Sequence, residues 1–77
     1  MAPMTRNQSK KGIPGADVAK YYQKRAEGGV GLIITEGTVI GHKASNGYPD
    51  VPCFYGEEAL KGWKQVVEGV HQAGGKI

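Results

Sequence analysis

A chain of 77 residues is long enough for one small domain, in which only a limited core can be buried. Its net charge of +3 is scattered apart from Lys10-Lys11, and no basic stripe interleaves with aromatics, which argues against a nucleic-acid partner. The single cysteine, Cys53, excludes an intrachain disulfide, no apolar run approaches the ~20 residues of a membrane span, and no signal-peptide pattern is visible; a soluble, cytoplasmic protein with no membrane partner is expected.

Residues 1–4, "MAPM", read as the end of a strand. Pro3 lacks a backbone donor and suits a strand's exit better than its middle. The polar stretch "TRNQSKKGIPG" then reads as a loop. Residues 17–27, "DVAKYYQKRAE", have helical spacing, with Val18, Tyr21, Tyr22 and Ala26 on one face. Asp17 is the expected N-cap, Lys24 and Arg25 suit the C-terminal dipole, and Gly28-Gly29 ends the helix.

The run "VGLIIT", residues 30–35, is nearly all apolar and rich in branched side chains. Such a run predicts a strand buried on both faces, as in a parallel sheet. Residues 39–55 read as a long loop, of the kind that often carries function. A second helix is predicted over residues 57–73, with Glu57 and Glu58 in its first turn and Leu60, Trp63, Val66, Val67 and Val70 as its buried stripe. Gly74-Gly75 stops it, and Lys76-Ile77 looks like the first step of another strand. Most of the thirteen glycines punctuate these segments and form no low-complexity tract.

Strand, helix, strand, helix, strand is the βαβ order of a parallel sheet. The expected fold class is α/β, with residues 1–77 forming part of a larger domain. A (β/α)₈ barrel takes ~250 residues, so this length corresponds to roughly two of its eight units. Ligands in such folds bind beyond the C-terminal ends of the strands. Two clusters fall there: Pro3-Met4-Thr5-Arg6 and Glu36-Gly37-Thr38. Thr5 offers a hydroxyl, and Gly37 lets a flat ligand approach the main chain. Taken alone, the same residues are also ordinary turn chemistry.

Other residues carry less. "GGVG" at residues 28–31 ends a helix and opens a strand, the reverse of a phosphate loop. His42, His71, Cys53 and Glu36 lack any short metal-ligand spacing, so no metal site is expected. Nothing local gives Cys53 a base partner. Trp63, Tyr21 and Tyr22 fall on apolar faces and read as packing.

Four blocks, "MAPMTR", "YYQKRAEGGVGLIITEGT", "NGYPDVPCFY" and "GWKQVVEGVHQAGGKI", together span almost the whole chain. In this order they resemble the old yellow enzyme family, the FMN-dependent NAD(P)H:flavin oxidoreductases and ene-reductases. The resemblance implies an N-terminal piece of a TIM (β/α)₈ barrel with FMN at its mouth. It implies NAD(P)H as reductant and a small activated alkene or enone as substrate. Pro3 and Met4 match positions whose backbone lies against the flavin. Thr5 matches a hydroxyl that bonds a flavin ring carbonyl, Gly37 a main-chain amide that also addresses the ring, and Tyr48 an aromatic of the substrate pocket. The family's Gln-Leu-Trp-His-like block, its His pair, its proton-donating Tyr and its FMN phosphate-binding groups cannot be placed on these residues, so none is assigned a catalytic role. The alternative is a truncated, non-catalytic structural or interaction fragment, whose open strand edges and apolar faces predict a homo-oligomer or aggregate, or a partly disordered chain.

Overall fold

The computed structural model describes residues 1–77. Two helices, α1 (Ala16–Glu27) and α2 (Glu57–Gln72), lie on one side of three short extended segments. Where those segments pair, they do so at single points, and none is long enough to be a regular strand. The middle segment is held from both sides. Ile33 N donates to Lys76 O at 2.8 Å, and Leu32 bridges Lys76 in parallel. On the other side Ile34 N donates to Met1 O at 3.1 Å, while the amino group of Met1 donates to Leu32 O. Successive amides point to opposite neighbours, as they must in an extended chain flanked on both edges. The spatial order is therefore Met1, Leu32–Ile34, Lys76, all parallel. Extended segments and helices alternate in the expected order, but the three expected strands are reduced to isolated bridges and no regular strand forms.

Ile33, 1% exposed, is the sheet's contribution to the core. It packs among Val18, Tyr22 and Ala26 of α1 and Trp63, Val66 and Val70 of α2. Each such side chain contributes about 1.5–3 kcal/mol by leaving water. The thinnest dimension of the molecule is 16 Å, room for one helix layer on one sheet layer. The other sheet face is uncovered. Leu32 and Ile34 are 56% and 54% exposed, so burial on both faces, expected for residues 30–35, does not hold within these residues. The alternation of the chain turns Ile33 inward and its two neighbours outward.

Two smaller expectations also change. Asp17 does not cap α1: the cap is Gly15, with no side-chain bond, and Asp17 sits in the first turn. The chain enters through Pro14-Gly15 in an extended conformation, which starts the helix earlier, at Ala16. On α2, Ala59 takes the buried position and Leu60 is exposed, while Val67 is half-buried. Trp63 is buried as expected, its indole N–H donating to Cys53 O at 2.9 Å. The glycine stops hold: Gly28 caps α1, and Gly74 follows α2 at φ 85°.

The long loop has one short 3-10 turn, Lys43–Ser45, and is stitched to the body. Val39 bridges Cys53 in parallel, and Cys53 N donates to Gly12 O at 2.8 Å. Within α2, Gly62 has a structural duty: a Cβ there would stand 2.3 Å from Pro14 O. An alanine normally improves a helix interior by about 1 kcal/mol. Here Gly62→Ala is expected to destabilise by about 1–3 kcal/mol, because a backbone carbonyl cannot swing aside. A denaturant melt of Gly62→Ala checks this.

Candidate functional site

Thr5 and Gly37 follow the paired points of adjacent parallel segments, and the fold brings them together. A Cβ on Gly37 would lie 3.5 Å from Thr5 Oγ1. Pro3, Met4, Thr5 and Gly37 are all exposed. Neither the Thr5 hydroxyl nor the Gly37 amide bonds another group of the chain. The result is an open surface carrying two adjacent unspent donors. Two concavities of about 580 Å³ lie elsewhere. One is polar, between Asn7, Lys10 and Asp50, and the other is apolar, between Phe54, Trp63 and Ile77.

Tyr48 is not gathered into this surface. It is 70% exposed and lines a depression of about 330 Å³ with Gly12, Cys53 and Tyr55. Neither Thr5 nor Gly37 lines that depression.

A buried polar group supports the Thr5–Gly37 surface from beneath. Glu36 precedes Gly37 and is only 3% exposed. Its Oε2 accepts from the Tyr22 hydroxyl at 3.1 Å, and its Oε1 accepts from the backbone N–H of Arg6 at 3.4 Å. The Tyr22 oxygen in turn accepts from Glu36 N at 3.0 Å. The guanidinium of Arg6 lies 3.6 Å from the Tyr21 ring centroid and that of Arg25 3.8 Å from it. Two groups so close to one centroid must occupy opposite faces of the ring, each worth about 0.5–1 kcal/mol where water reaches it. The segment at Thr5-Arg6 is thus tied to Glu36 by its main chain and to α1 by the Arg6 side chain.

Periodicity identified Tyr22 as a core residue and gave no sign of where its hydroxyl goes. The signal available was a carboxylate at the end of an apolar run, which must find donors if buried.

With this geometry established, comparison with known proteins assigns the class. The whole chain, residues 1–77, matches the NADH:flavin oxidoreductase / NADH oxidase family, and the chain belongs to it. The resemblance to the old yellow enzymes is thereby borne out. Among curated proteins it is 47% identical over 75 residues to 12-oxophytodienoate reductase 7 of Oryza sativa subsp. japonica, covering 97% of this chain and 18% of the relative. It is 40% identical over 78 residues to a probable inactive reductase, easA, of Epichloe festucae var. lolii, covering 100% of this chain and 20% of the relative. Among solved structures it superposes on morphinone reductase in complex with tetrahydroNAD with a TM-score of 0.86 at 39% identity, covering 97% of this chain and 20% of that one. For the old yellow enzyme homologue of Zymomonas mobilis the TM-score is 0.83 at 33% identity, covering 97% and 21%. The chain thus spans about a fifth of the length of these proteins.

Burial pushes the Tyr22 hydroxyl from 10.0 up to about 12; the Glu36 amide opposes the rise, and the Glu36 carboxylate adds to it. The folded protein therefore keeps this proton where the unfolded chain has lost it. The contribution to stability is whole below pH 10 and is lost as the pH rises toward about 12. Melting temperature against pH is expected to fall across that window, and Tyr22→Phe is expected to remove this component of the fall.

Proposed function

We propose that these residues form one wall of an FMN site in a (β/α)₈ oxidoreductase. The observation that carries the reading is the pairing of the Thr5 hydroxyl with the Gly37 amide at the ends of adjacent parallel segments, both without partners in the chain. The residues fit the cofactor in kind. A flat ring with carbonyl and nitrogen edges needs an open surface with donors in its plane, and a side chain at position 37 would intrude on that surface.

FMN would supply two-electron chemistry, taking hydride from NAD(P)H and passing it to the β-carbon of an activated alkene or enone. The chain's own part is to hold and tune. Pro3 and Met4 offer exposed backbone for the ring to lie against. Thr5 donates to a ring carbonyl, and a donor there stabilises negative charge developing on the ring, as an oxyanion hole does. Gly37 adds its amide. Tyr48 belongs to the substrate side by resemblance, and its exposed ring leaves it available to a ligand. The reading carries with it a reducing, cytoplasmic setting, consistent with one unpaired thiol.

One feature favours a second reading for the 77 residues taken alone. The bare face of Leu32 and Ile34, with the open edges at Met1 and Lys76, favours self-association over catalysis. Sedimentation of the chain would show a monomer if this second reading is wrong.

The flavin reading is tested by Thr5→Ala in the flavin-loaded protein. A hydrogen bond to a charged acceptor is worth about 1.5–3 kcal/mol, so the two-electron midpoint potential is expected to drop by about 30–60 mV. Gly37→Val is expected to weaken FMN binding by at least about tenfold, read from flavin fluorescence, since it buries the amide and crowds Thr5. Unchanged potential and affinity in both variants would refute the flavin wall.

A further inference from the structure

We propose that Tyr22 and Glu36 are positioning residues for the flavin wall: their buried pair locks the Thr5-Arg6 segment and the Glu36-Gly37 peptide, and so sets the Thr5 hydroxyl beside the Gly37 amide. This inference rests on the flavin reading above.

Glu36 is a carboxylate at 3% exposure, and no cationic side chain lies within ion-pair distance of it. Burying such a group is expensive unless its lone pairs are used. An apolar residue here would serve the core better. The carboxylate instead spends one oxygen on Arg6 N and the other on the Tyr22 hydroxyl. Each bond acts on a residue adjacent to a proposed flavin donor. Arg6 follows Thr5 directly, and Glu36 precedes Gly37 directly.

Tyr22 closes the arrangement. Its hydroxyl donates to the Glu36 side chain and accepts from the Glu36 backbone, so one rigid ring fixes both ends of that residue. The ring itself is fully buried in the seven-residue core, in edge contact with Tyr21 at 5.2 Å between centroids. Core packing thereby reaches the surface through two hydrogen-bonded residues. Neither touches the proposed ligand. They act through the backbone of the residues that do, and a change of a few tenths of an ångström in that backbone would alter how Thr5 meets a ring carbonyl.

The test is a double-mutant cycle in the full flavin-loaded protein, with Thr5→Ala, Tyr22→Phe and the pair combined. The readouts are FMN dissociation constant and two-electron midpoint potential, with the melting temperature of the flavin-free protein recorded alongside. Tyr22→Phe is expected to weaken FMN binding by about tenfold, because two bonds of the lock are lost. It is expected to move the potential in the same negative direction as Thr5→Ala. In the combined variant the two potential shifts do not add, since the hydroxyl being positioned is already gone. Glu36→Gln, which keeps the shape, follows the same pattern and stands in if Tyr22→Phe does not fold. A lower melting temperature with unchanged potential, or fully additive shifts, would overturn the positioning role while leaving the flavin reading intact. If neither Thr5→Ala nor Gly37→Val changes affinity or potential, the flavin reading fails and this inference falls with it.

Discussion

Everything in this structure depends on how the segment Leu32–Ile34 is held. Its amides are bonded to Met1 on one side and to Lys76 on the other, and between them Ile33 drives into the helices. These few contacts align three distant stretches in parallel. They also decide which residues emerge together at the C-terminal ends. Thr5 and Gly37 are 32 positions apart in the chain and become neighbours because Met1 and Ile34 are bonded. Without that alignment neither residue would have a partner in any site.

The helices do more than cover the sheet. Tyr22 belongs to the packed face of α1, yet its hydroxyl passes through the layer to Glu36. Tyr21, one residue earlier, is gripped between the guanidinium groups of Arg6 and Arg25. One turn of α1 therefore supports the loop after Met4 from two directions. This explains how an exposed loop of small and polar residues can keep a defined geometry. It is held by a buried ring and a buried carboxylate, and by the burial of its own Ser9 and Pro14.

Much of this was legible in the chain itself. The helices announce themselves through apolar residues at helical spacing and paired glycines at their ends; the structure differs at the Asp17 cap, at exposed Leu60 and at half-buried Val67. Leu60 lies one residue past the buried position, which Ala59 takes at 4% exposure. Asp17 is chemically able to cap, but the Pro14-Gly15 entry starts the helix before it. The apolar run 30–35 is extended but forms only an isolated bridge, and a continuous apolar stretch cannot reveal whether both of its faces are covered. Within these residues only the Ile33 face is. The chain order places Thr5 and Gly37 beyond the ends of extended segments, but that the two meet is seen only in the fold. The Tyr22–Glu36 pair did not, because periodicity reports which face a residue occupies and says nothing of the partner its hydroxyl finds. Tyr48 was placed by resemblance alone, and its depression beside Gly12 and Cys53 is distinct from the Thr5–Gly37 surface.

The central claim is that a flavin ring lies on the Thr5–Gly37 surface. Titration of the ¹⁵N-labelled protein with FMN, followed by amide NMR shifts, tests it most directly. The account predicts the largest shifts at the amides of Gly37, Met4 and Thr5, with Lys10 and Gly15 at the separate polar concavity unmoved. Saturable shifts centred on that concavity, or none near Gly37, would contradict it.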